Sequence, residues 1–202
     1  MGPLMGAPML ELAVLGLLKD GAMHGYELSK RLTGTLGGFW RVSYGSLYPT
    51  LKRLERDGAV EQIAPDGART RRRTVYRITT EGEKLFLRLL EEVGTDTSTE
   101  DTRFRIRLAF FRYLAPDTRI RVLERRRLSL EERLSTITTS LSGDGDAGDP
   151  YTRSLMQHGL DVTEQDIEWL DGLIAAERRQ LTTTGGAPRR SARSLRRKER
   201  TT

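Results

Sequence analysis

Between residues 43 and 73 the sequence gathers hydroxyls, phenols and cations. Ser43, Tyr44, Ser46, Tyr48 and Thr50 come first, then Lys52, Arg53 and Arg56, and further on Arg69, Arg71, Arg72 and Arg73. Such groups exchange hydrogen bonds and neutralise negative charge. The chemistry they suit is non-covalent capture of an anionic polymer, not bond cleavage. Covalent chemistry has little to stand on elsewhere. The two histidines, His24 and His158, lie in different parts of the chain, and there is no cysteine. A thiolate metal site and a disulfide framework are thereby excluded. No glycine-rich phosphate loop, nucleophile elbow or paired-carboxylate pattern occurs. The expectation is no catalytic residue, no metal and no cofactor.

The elements that must position these groups can be read from periodicity. Leu47, Leu51 and Leu54 fall at i, i+4 and i+7, the buried stripe of a helix. Ser43 is a plausible N-cap, Pro49 is cheapest near the first turn, and Gly58 stops the helix. The spacing therefore predicts a helix starting near Gly45 or Ser46. Two helices precede it: Met9–Lys19, with Leu10, Val14, Leu17 and Leu18 in phase, and a second beginning at His24 or Gly25 with Leu28 and Leu32 inward. Two short strands follow, Ala59–Ala64 and Thr74–Thr79, joined by Pro65-Asp66-Gly67 and the arginines at 69 and 71 to 73. Thr80 is expected to cap the next helix, with Glu81 and Glu83 in its first turn.

Beyond a polar stretch at 94 to 102 the pattern changes. Leu123, Leu130, Leu134 and Ile137 keep one heptad frame, with Arg127 at the interrupted position. Leu160, Ile167, Leu170 and Ile174 keep another, on a helix expected from about Tyr151 to Leu181. Narrow apolar stripes on long helices pair with each other or across a dimer. The expected organisation is mainly α with a small β-hairpin. An N-terminal winged helix-turn-helix at 1 to 93 is followed by an α-helical dimerisation domain at 94 to 182, then a disordered basic tail at 183 to 202. Those eight aliphatic residues are the expected dimer contacts.

Net charge is +6, and its placement matters more than its sum. Residues 1 to 93 hold 14 basic against 11 acidic side chains, residues 94 to 188 hold 13 against 16, and the last fourteen hold 7 against 1. The high basicity thus belongs to the tail, which can act as an electrostatic arm for any nucleic acid. The longest apolar run, Met9 to Leu18, contains Glu11 and is too short to cross a bilayer.

The segments LELAVLGLL, MHGYEL, SYGSLYPTLKRLERDG and TVYRITTEG, in this order, resemble the PadR-like transcriptional regulators. The likeness covers residues 10 to about 93. The second half resembles in pattern the longer C-terminal helical domain of one branch. This resemblance implies a winged-helix homodimer, usually a repressor, on a palindromic operator. It also implies dimerisation through the C-terminal helices and, in some members, a small effector bound near the interface.

Set on that framework, the residues expected to meet double-stranded DNA are Tyr26, Ser43, Tyr44, Ser46, Tyr48, Thr50, Lys52, Arg53, Arg69, Arg71, Arg72 and Arg73. The early positions of the helix suit base edges, and the later cations and the wing suit phosphate. Trp40 and Trp169 are the candidate effector residues. A cytoplasmic, nucleoid-associated repressor is expected. Two competitors are a nonspecific architectural DNA binder and a winged helix that binds protein.

Overall fold

The computed structural model describes residues 7–36, 44–63, 74–92, 97–142 and 149–185. Seven α-helices and three strands are present among them, with one 3-10 turn at Phe111–Tyr113: α1 Ala7–Leu18, β1 Met23–His24, α2 Gly25–Leu36, α3 Tyr44–Arg56, β2 Val60–Ile63, β3 Val75–Ile78, α4 Thr80–Glu91, α5 Thr97–Leu108, α6 Pro116–Ser142 and α7 Pro150–Gly185. The chain divides into two compact units, Met1–Val122 and Leu123–Thr202.

In the first unit α1 is the hub. Met9, Leu10, Leu12, Ala13, Val14, Leu15, Leu17 and Leu18 are all buried, so the helix is apolar on nearly every side. It packs against α2, α3, α4, α5 and β3. Covering a leucine side chain from water contributes about 1.5–3 kcal/mol, so this one helix anchors the elements around it. Its one carboxylate, Glu11, accepts from Arg53 Nε of α3 at 2.7 Å. Gly16 lets Phe110 approach: a Cβ there would lie 2.5 Å from the ring.

The sheet has the order β1-β3-β2 and is antiparallel throughout. The hairpin is thus widened by β1, whose Met23 pairs with Tyr76 and His24 with Val75. Two residues carry no periodicity, which is why the strand was not expected. The end of α3 follows from Gly58. With φ at +72°, it closes a double turn in which Gly58 N donates to Glu55 O and Ala59 N to Leu54 O. Thr79, not Thr80, caps α4: its hydroxyl accepts from Gly82 N at 3.1 Å. The hydroxyl must sit just outside the first helical turn to reach that amide, and Thr80 is already inside it.

The first compact unit continues to Val122. Phe104, Ile106, Phe110, Phe111 and Leu114 are buried, and Phe86 of α4 meets Phe110 and Tyr113 edge-on at 6.0 and 5.5 Å. Phe110 and Tyr113, just after α5, thus bring this stretch against Phe86 of α4, and Phe110 also meets Gly16 of α1, so 97 to 122 belong to the first unit. Inside α5, Arg107 and Glu100 form a buried pair at 3.1 Å. Burial holds the Arg107 guanidinium below its usual range, with Glu100 opposing the shift.

In the second unit, Leu123, Leu130, Leu170 and Ile174 are buried. Arg127 donates to Asp171 of α7 at 2.6 Å and lies 3.1 Å from Glu131 of its own helix. Arg178 donates to Glu124 at 2.6 Å. α7 runs on to Gly185, into the stretch from 183 that was expected to be disordered tail. The tail at 186 to 202 lies outside the described residues.

Candidate nucleic-acid interface

Two helices and a sheet edge make the surface. Leu47, Leu51 and Leu54 are buried along α3, which fixes the opposite side outward. That outward side carries Gly45, Ser46, Tyr48, Pro49, Lys52 and Arg56. Helix α2 presents Tyr26, Lys30 and Arg31 beside it. Between them runs an open groove of about 1100 Å³, lined by residues including His24, Tyr26, Lys30, Tyr48, Thr74 and Tyr76. Tyr26 is 68% exposed and Tyr48 43%. His24 Nδ1 lies 3.4 Å from Thr74 O at the floor. Burial, aided by Glu55 and Tyr48 nearby, raises the pKa of the Tyr76 phenol.

The expected contact residues divide on this surface. Tyr26, Ser46, Tyr48 and Lys52 face outward together. Thr50 does not: it is 5% exposed. It falls between Leu47 and Leu54 on the inward side, because one residue before Leu51 a helix has turned by only about 100°. So turned, it offers almost no surface to a duplex, in contrast to the outward position expected for it. Arg53 is only partly available. Its guanidinium is tied to Glu11 at 2.7 Å, bracing α3 against α1, so phosphate contact is not its first role. Arg31 is held by Glu27 one turn earlier at 2.8 Å. Ser43, Arg69, Arg71, Arg72, Arg73 and Trp40 lie outside the described residues, as does the side chain of Tyr44. Trp169 is on α7, 46% exposed.

Sequence reasoning missed three features. Lys30 lines the groove and is absent from the expected contact residues. Asp20, Arg112 and Tyr113 form a cluster: Arg112 Nη2 donates to both Asp20 oxygens at 2.8 and 2.6 Å, and the Tyr113 hydroxyl donates to Asp20 as well. These partners are about ninety residues apart, and no local pattern announces them. β1 is the third. Among the described residues no group of three or more acidic or histidine side chains could hold a metal ion. No helix there is long and apolar enough to cross a membrane.

A helix presenting its outer side beside a supporting helix and a small antiparallel sheet is a winged helix-turn-helix. Comparison with known proteins places the chain in a family. The model of the Transcriptional regulator PadR-like family matches residues 14–88, and that of the Virulence activator alpha C-term matches residues 102–177. The transcriptional regulator Rv3488 of Mycobacterium tuberculosis is 39% identical over 92 residues, 43% of this chain and 80% of that protein. The probable transcriptional regulator Rv1176c of the same organism is 26% identical over 183 residues, 81% and 95% of the two chains. The Bacillus subtilis negative transcriptional regulator PadR is 36% identical over 52 residues, though this spans only 29% of its length. The crystal structure of that protein with operator DNA superposes with a TM-score of 0.41 at 21% identity, over 83% of this chain and 98% of that one. The chain belongs to the PadR-like family of transcriptional regulators, and its relatives are regulators, not enzymes.

Proposed function

We propose that this chain is a sequence-specific DNA-binding repressor that acts as a homodimer on a palindromic operator. The observation that carries the reading is the outward side of α3. Ser46, Tyr48 and Lys52 project from it, with Tyr26 and Lys30 of α2 beside them. Hydrogen-bonding groups lie at the start of the helix and a cation follows one turn later, the order in which a groove-inserted helix meets bases and then phosphate. Ser43, Tyr44 and the arginines at 69 and 71 to 73 complete the proposed contacts on the strength of the sequence.

The dimer is supported by a second observation. Leu123, Leu130, Leu170 and Ile174 are buried in the single chain, so they cannot themselves face a partner copy. Leu155, Val162 and Trp169 can. They recur every seven residues on α7 and are 70%, 41% and 46% exposed. An apolar stripe at this spacing on a long exposed helix suits a coiled-coil-like seam with a second copy. Leu134, Ile137, Leu160 and Ile167, all half-buried, are placed to flank such a seam. Repression would follow from occlusion of a promoter in the cytoplasm, relieved by a small-molecule effector near Trp169.

The test is binding of bacterial genomic fragments in the presence of excess random-sequence duplex. Retention of a discrete set of fragments is expected. Free displacement by random DNA would favour an architectural binder, and absence of DNA affinity at low salt would favour a protein-binding module.

A further inference from the structure

Tyr48 is the one long, outward-facing side chain between Gly45 and Thr50. Gly45, Ser46 and Pro49 are short, and Leu47 and Thr50 are buried. This is the part of α3 where base edges would be met. Its ring is not free. At Gly25, the buried first residue of α2, a Cβ would lie 3.2 Å from Tyr48 Cε1, 3.2 Å from its hydroxyl oxygen and 3.4 Å from Cζ. The phenol end of the ring therefore lies against α2 in the space that a side chain at 25 would take. Its remaining surface opens into the groove lined by Tyr26, Lys30 and Thr74.

We propose that Tyr48 is a specificity-determining residue for the operator and that Gly25 is its positioning residue. This rests on the reading of the chain as a sequence-specific DNA binder. A flexible aromatic on a recognition helix loses rotamer freedom when it docks, and that loss weakens binding. A ring already seated against α2 has little left to lose. Contact with α2 also limits where the ring can point, so it would meet one base position and not several. Gly25 contributes by what it lacks. Alanine there need not disturb the backbone, because no positive φ is required and the facing atoms belong to a movable ring. The ring would shift by a few tenths of an ångström or swing away.

The experiment measures affinity for an operator fragment and for a random duplex, over a salt series, for the wild type, Gly25→Ala, Tyr48→Ala and the double variant. Thermal melting of each protein is recorded alongside. Gly25→Ala is expected to reduce the ratio of operator to random affinity about three- to tenfold, the scale of one side chain's ordering cost. Random-duplex affinity, salt slope and melting temperature should be unchanged. On the Tyr48→Ala background, Gly25→Ala should add nothing. Equal loss for both duplexes, additive losses in the double variant, or an unchanged ratio in Gly25→Ala would each overturn the assignment. A wild type with no preference for any fragment would overturn the functional reading itself, and this inference with it.

Discussion

Lys52 and Arg53 are adjacent cations with different destinations. Lys52 is exposed on α3, whereas Arg53 is turned toward Glu11 of α1. Lys52→Ala should therefore weaken binding to all DNA sequences alike and lower the salt slope by about 0.9, the share of one phosphate contact. Arg53→Ala should instead cost about 1–2 kcal/mol of folding stability, read by chemical denaturation, since it leaves a largely buried carboxylate unpaired. Asp20 offers a pH test. The Tyr113 hydroxyl, and then Arg112, hold its carboxyl below the ordinary value of 3.8. A depressed folded-state pKa stabilises the fold above the unfolded value, and that contribution fades as pH falls through the folded one. Asp20→Asn should thus melt below the wild type at neutral pH, and the gap should close in acid below 3.8. A gap that persists or widens there would contradict the cluster's assigned role.

At the scale of elements, the junction of α4 with the sheet is the tightest place. A Cβ on Gly82 would lie 2.0 Å from the backbone oxygen of Ala59, which itself accepts from Thr79 N at 3.1 Å. A backbone atom cannot swing aside, so Gly82→Ala should destabilise by about 1–3 kcal/mol in denaturant titration, as overpacking does. The same junction shows what the sequence could and could not convey. Leu47, Leu51 and Leu54 announced α3 and its buried side through spacing alone, and Gly58 its end. Thr50 stands three residues after Leu47 and four before Leu54, so the same spacing turns it inward, whereas a hydroxyl near a helix start reads as solvent-facing. That start fell at Tyr44, ahead of the expected Gly45 or Ser46. β1 and the Asp20 cluster were illegible for another reason: both exist only through residues distant in sequence. The aromatics at 104 to 114 were visible, but their burial against the first unit was not, since periodicity gives an inward side without naming what it faces.

For the whole molecule, the seven-residue spacing marks apolar stripes on the long helices without saying which stripe a partner copy would cover. Two frames with seven-residue spacing run along α7. The one at Leu160 and Ile167 was readable as a continuous aliphatic set. The one at Leu155, Val162 and Trp169 became visible only through exposure. If a second copy covers it, Leu155→Glu with Val162→Glu should shift the sedimenting species from dimer to monomer and weaken operator binding by tenfold or more, because two linked half-sites become one. Unchanged mass would move the proposed seam elsewhere. Operator recognition by a symmetric pair of α3 helices is most directly examined by footprinting the full chain on a fragment recovered from genomic DNA. Two protected half-sites in inverted repeat, with centres about 34 Å or one duplex turn apart, are predicted. Uniform protection along the fragment, or a single unpaired protected site, would contradict it.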